Sequence, residues 1–194
     1  MLFKSMYHKI NDMKKIAFAL LIFVLSFPSM AQEKMPTQSV FVELGGAGLI
    51  YSFNYEFRFN KENLESWGLR VGAGGYGRTF NYGDGKDTDA LLTLPVQVTR
   101  LFGKGKHFFE VGGGTTFIYS RDTYTYGNQS PQVSRDFDFI LNSGNTPAFM
   151  GTLNLGYRRI PVDGGFTFRA NLTPIFNQNG FWPIWAGVGF GYAF

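Results

Sequence analysis

WAGVGFGYAF, residues 185–194, alternates apolar residues with glycine through its whole length. Side chains of a strand point to opposite faces with period two. Ala186, Val188, Phe190, Tyr192 and Phe194 therefore share one face, and Gly187, Gly189 and Gly191 share the other. A greasy face backed by a nearly bare one suits a closed barrel in lipid, where every backbone group is paired within the sheet and only the outer face must be apolar. YSFNYEFRF (51–59) repeats the pattern with aromatics: Leu49, Tyr51, Phe53, Tyr55, Phe57 and Phe59 alternate with Ile50, Ser52, Asn54, Glu56 and Arg58.

Working outward, period-two alternation predicts eight strands, near 38–45, 49–59, 67–78, 89–101, 107–119, 148–160, 165–176 and 183–194, each about long enough to cross a bilayer when tilted. The fold class is an all-β, transmembrane antiparallel barrel. Barrels of this kind carry short periplasmic turns and longer external loops. That places 60–66, 102–106 and 161–164 inside, and 46–48, 79–88, 120–147 and 177–182 outside. The three-residue connection 46–48 is unusually tight; one long bent strand there would leave an odd seven, which the even-number rule disfavours. Arg100 and Arg159 are the charges expected on the outward face, both beside inner turns where they can snorkel to headgroups.

At the other end of the chain Lys4, Lys9, Lys14 and Lys15 precede an apolar run, Ile16–Phe27, followed by Ser29-Met30-Ala31. This reads as a secretory signal peptide cleaved between Ala31 and Gln32, since the run is shorter than the roughly 20 residues of a spanning helix. Translation from Met13 would give a more ordinary leader. Residues 1–31 hold four lysines and one aspartate, so their loss lowers the net charge from +4 to +1 and leaves no basic stripe for nucleic acid. Residues 32–194 form a single barrel domain in this reading. Cysteine is absent, which excludes disulfides and thiolate metal sites.

The opposite parity defines the lumen: Glu43, Glu56 and Glu110 face Arg58, Arg70, Arg158 and Arg169, with Asn54, Gln97, Asn154 and Asn171 among them. An eight-stranded barrel is wide enough only for its own side chains. Glycines 72, 74, 112, 114, 187, 189 and 191 are expected to make room for the arginines. The network is read first as a plug and second as a gated conduit in which pairs such as Glu56–Arg70 or Glu110–Arg169 exchange partners.

Chemistry beyond this is sparse. His107 is the sole histidine after residue 31; the topology puts it at the inner rim, far from Ser120, Asp122 and Ser130, so a histidine-dependent triad fails on geometry. No catalytic residue, cofactor or metal site is predicted. The GxGxxG match at 72–77 lies within a strand with no helix after it. Asp84, Asp87 and Asp89 with Asp122, Asp136 and Asp138 read as solvated loop charge rather than a cation bridge to lipopolysaccharide. Tyr119, Tyr124, Tyr126, Asn128, Asn142 and Asn145 would suit surface recognition.

In YSFNYEFRF (51–59), GKGKHFFEVGGGTT (103–116), LGYRRIPVDGGFTFRANLTPIF (155–176) and the final GYAF the chain resembles the uncharacterised small outer-membrane β-barrel proteins of Gram-negative bacteria. The resemblance implies an integral outer-membrane location among lipid and lipopolysaccharide. It also implies insertion by the outer-membrane assembly machinery, with Phe190, Tyr192 and Phe194 similar to its recognition signal. It carries no activity and no external ligand. A non-enzymatic structural or surface-interaction barrel ranks first, a narrow channel or small-solute transporter second, and a lipid-modifying enzyme third.

Overall fold

A computed structural model describes residues 35–127 and 129–194. The leader, its Ala31–Gln32 junction and Asn128 lie outside the described residues. Thirteen strands follow in chain order: β1 (Gln38–Gly45), β2 (Tyr51–Arg58), β3 (Gly68–Tyr82), β4 (Gly85–Lys104), β5 (His107–Tyr126), β6 (Gln132–Ser134), β7 (Asp136–Asp138), β8 (Asn142–Asn145), β9 (Ala148–Arg159), β10 (Gly165–Leu172), β11 (Ile175–Asn177), β12 (Gly180–Trp182) and β13 (Ala186–Ala193). Eight of them are staves of a closed antiparallel ring, β1-β2-β3-β4-β5-β9-β10-β13, shut by pairing of β13 with β1.

A path of directly opposed residues runs from Lys104 through His107, Arg159, Phe168, Phe190, Val42 and Phe53 to Ala73 and rejoins β4 beside Leu94, ten residues from its start. That stagger over eight strands sets a tilt of about 40°. Eight-residue staves such as β1 and β2 then rise about 20 Å, whereas the 20 residues of β4 and β5 rise about 50 Å, twice the roughly 25 Å apolar band of such barrels.

The staves match the expected strands in number and order, and their ends differ where the chain leaves the barrel wall. Residues 79–88 are not a loop: β3 runs on to Tyr82, Gly83 and Asp84 make a two-residue turn with Gly83 at φ 52, and β4 starts at Gly85. The 102–106 turn shrinks to Gly105-Lys106, and β5 continues to Tyr126, so the long loop begins at 127 and contains β6, β7 and β8. The strand expected over 165–176 breaks at Thr173-Pro174, because proline cannot donate to the ladder, and resumes as β11.

The tight connection between β1 and β2 is a real hairpin turn folded into the barrel. Gly45 and Gly46 take positive φ, and a Cβ on Gly45 would lie 2.4 Å from Ala186 O, so glycine is required there. Leu49 also adopts φ 69, ψ −74, closing a three-residue turn through Ile50 N–H donating to Gly48 O (3.0 Å). This reverses the parity expected for Leu49: its side chain is buried in the lumen instead of sharing the outward face of Tyr51 and Phe53.

Candidate functional site: the lumen network and its two seals

The described lumen has three layers. In the middle, Glu43, Glu56, Glu110, Arg58, Arg70, Arg158 and Arg169 are all buried and joined by ion pairs, with Asn54, Gln97, Asn154 and Asn171 buried among them. Two subnetworks divide the charges. In the first, Arg70 donates to both Glu43 oxygens, to Gln97 Oε1 (3.0 Å) and to Asn54 Oδ1 (2.9 Å). Gln97 passes the chain on to Thr152 (2.9 Å).

The second is centred on Glu56, which accepts from Arg58, from Arg158 Nη1 (2.7 Å), from Arg169 Nη1 (3.2 Å) and from Thr99 Oγ1 (3.0 Å). Glu110 takes the other hydrogens of Arg169 and Arg158 and those of Asn154. Of the two pairings expected from sequence, Glu110–Arg169 is present and Glu56–Arg70 is not. Those residues sit opposite each other in the β2–β3 ladder, yet three other guanidiniums occupy Glu56 while Arg70 reaches Glu43.

Four guanidiniums outnumber three carboxylates, and the surplus is met by neutral partners. Arg58 Nη1 donates to Thr99 O (3.0 Å) and Ser66 O (3.3 Å), and Arg158 Nη2 donates to Ser39 Oγ (2.8 Å). Phe41 links the two subnetworks, its ring centroid 5.0 Å from Arg70 Cζ and 4.4 Å from Arg169 Cζ; a desolvated cation over an aromatic face is worth about 2 kcal/mol. Among buried side-chain polar atoms of the described residues, Arg158 Nε and Thr173 Oγ1 have no partner. The sequence reading passed over Phe41 because it collected polar residues alone; its parity with Ser39 and Glu43 was the available signal.

Apolar layers close the network at both ends. At the loop end Leu49, Leu91, Ile118, Phe137, Met150 and Ile175 form one cluster, joined by Trp185 and Tyr76. The β1–β2 turn is pinned beneath it: Ala47 N–H donates to Glu43 (3.2 Å), Thr116 to Ala47 O (2.6 Å), Thr93 to Gly48 O (3.1 Å) and Trp185 Nε1 to Gly46 O (2.9 Å). At the turn end Leu64, Leu101, Phe108, Ile160 and Ala193 form the second. The glycines act less uniformly than expected. A Cβ at Gly189 would meet Arg169 Cγ at 2.7 Å, but Gly72 makes room for Asn54, Gly191 for Phe41 and Gly112 for Thr99. Gly68, outside the expected set, makes room for Arg58.

Outward-facing residues through the middle of the wall are mostly apolar or aromatic, including Val40, Phe53, Val96, Leu155, Val188 and Phe190, and the hydroxyl of outward Thr115 donates to Met150 O (3.2 Å). Phe190, Tyr192 and Phe194 are exposed on β13 and just after it.

Above the loop end, β3, β4, β5 and β6 continue as a four-stranded ribbon. One face sets Arg78, Phe80 and Tyr82 opposite Asp89, Asp87 and Gly85, and these opposite Asp122, Tyr124 and Tyr126. Phe80, Tyr82, Tyr124 and Tyr126 are exposed there. Beyond Ala73 the outer edge of β3 pairs with no further strand among the described residues. Arg78 Nε bonds Asp89 (2.9 Å), and partial burial with Asp89 and Asp87 nearby pushes the Asp122 carboxyl up. No group of three metal-ligating side chains occurs among the described residues. His107 lies at the opposite end, its Nδ1 2.7 Å from Tyr157 OH, far from Ser120 and Asp122.

Closed ring, polar lumen and apolar exterior together define a transmembrane, eight-stranded antiparallel β-barrel. No family model and no curated protein matches the chain. Two solved structures are similar to it. The N-terminal β-barrel domain of Pseudomonas aeruginosa OprF aligns with TM-score 0.44 at 15% identity over 83% of this chain and 98% of that one. Ail, the attachment invasion locus protein of Yersinia pestis, aligns with TM-score 0.41 at 14% identity over 82% and 100%.

Proposed function

We propose that the chain is an integral outer-membrane barrel with a plugged lumen and a non-enzymatic, structural or surface-interaction role carried by the ribbon and its loops. The observation that supports this most is the stacking of the lumen: a buried, ion-paired network lies between two apolar clusters, with a backbone turn hydrogen-bonded into the upper one. A solute path would have to break ion pairs and both seals together. Removing one partner of a buried pair costs about 3–5 kcal/mol.

The ribbon offers what the lumen does not, an aromatic and acidic face in solvent. Short turns at one end and long loops at the other orient the ribbon outward from the cell. Planar-bilayer recording of the purified protein tests the plug. A folded barrel without unitary conductance steps is expected, and stable steps that change on Arg70→Ala would replace the plug with a conduit.

A further inference from the structure

The turn end of the wall carries a row of basic side chains that the sheet does not pair with an acid. Lys104 on β4 is directly opposite His107 on β5, which is directly opposite Arg159 on β9. All three have outward parity, so their Cβ atoms stand about 5 Å apart in one line. Lys104 and Arg159 flank His107 as two cations of one row, and an anion set against the row would be attracted by both. None of the three makes an ion pair among the described residues; Glu62 and Glu65 share a pocket with Lys104 without pairing with it. No carboxylate has outward parity on these three staves.

Two residues further into the wall, the next row is Phe102, Phe109 and Tyr157, again directly opposed. In the row beyond it Val111 and Leu155 are aliphatic and stand opposite Arg100, whose guanidinium carbon lies 5.1 Å from the Phe102 ring centroid and 5.7 Å from that of Trp67; Val98 follows. Bases and aromatics near the rim, Arg100 stacked on the aromatic row among them, therefore give way inward to aliphatic side chains, the order of headgroup, interface and hydrocarbon. The Tyr157 hydroxyl engages His107 Nδ1 at 2.7 Å and leaves Nε2 of the ring for another partner.

We propose that Lys104, His107 and Arg159 bind the phosphodiester of an anionic glycerophospholipid in the periplasmic leaflet, with its acyl chains lying along the aromatic row. The inference rests on the outer-membrane reading above. It is tested with the purified full chain in nanodiscs of equimolar phosphatidylcholine and phosphatidylglycerol, by native mass spectrometry of the lipid that leaves with the protein. Phosphatidylglycerol is expected to be enriched over phosphatidylcholine. Each base beside an anionic lipid surface is worth roughly fivefold, so K104Q/R159Q is expected to lower that enrichment about 25-fold.

K86Q/R121Q, which removes the same charge from the ribbon, is expected to leave the enrichment intact. The proposal is overturned by equal retention of the two lipids, by an unchanged ratio in K104Q/R159Q, by an equal loss in K86Q/R121Q, or by displacement of the lipid with inorganic phosphate, which would mark a free-anion site. A chain that fails to insert, seen as complete protease digestion in the nanodisc preparation, overturns the membrane reading and this inference with it. Insertion without lipid preference overturns the inference alone.

Discussion

The lumen and the ribbon are built from the same staves and obey opposite rules. Inside the ring nearly every buried polar atom has a partner, and the seven charges are shared among so few groups that no one of them can be removed quietly. On the ribbon, a few residues further along β3, β4 and β5, aromatic rings and carboxylates stand in solvent with one strand edge open. Stability is concentrated where water is excluded, and freedom to change or to bind is left where water is present.

The strongest way to break that contrast is to strike Glu56. Glu56→Ala leaves Arg58 without a carboxylate and Arg158 and Arg169 with Glu110 alone and is expected to lower the unfolding free energy by about 3–5 kcal/mol, read from urea titration of the gel-mobility shift of the folded barrel. A double-mutant cycle sharpens the result. Glu43→Gln with Arg70→Met together are expected to cost less than the sum of the two single changes, because neither leaves the other bare; additive costs would show that Glu43 and Arg70 act independently.

Gly189→Ala comes next: its Cβ falls 2.7 Å from Arg169 Cγ, and overpacking of this kind costs about 1–3 kcal/mol in the same titration. Trp185→Phe removes the bond to Gly46 O that pins the lumen turn and is expected to cost about 1 kcal/mol. Smallest is Phe80→Ser with Tyr82→Ser on the ribbon, expected to fall within about 0.5 kcal/mol of the parent; a loss as large as that of Gly189→Ala would show that the ribbon supports the barrel.

How much could be read from the sequence follows the same division. The lumen residues were legible because a narrow, eight-stranded tube in lipid forces strict alternation: Glu56 and Arg58 have nowhere to point but inward when Tyr55 and Phe57 face hydrocarbon. Their pairing was not, since a guanidinium reaches past its ladder neighbour, as Arg70 passes Glu56 for Glu43. The ribbon looked like loop because both of its faces meet water; in GDGKDTD (83–89) polar residues occupy either parity and the period-two signal vanishes. Leu49 was assigned the wrong face because a left-handed residue reverses the alternation, and a leucine gives no warning of that as a glycine would.

The pairing of Glu56 bears on how the barrel comes together. Its cations Arg158 and Arg169 lie 102 and 113 residues away along the chain, on staves that reach it only when β13 closes onto β1. A sheet of β1–β5 alone would hold Glu56 with Arg58 only and Glu110 with no cation, and a bare carboxylate in hydrocarbon costs several kcal/mol. Neutralisation of Glu110 and ring closure therefore go together, and a sheet of the first five staves would wait in the bilayer with that charge uncompensated.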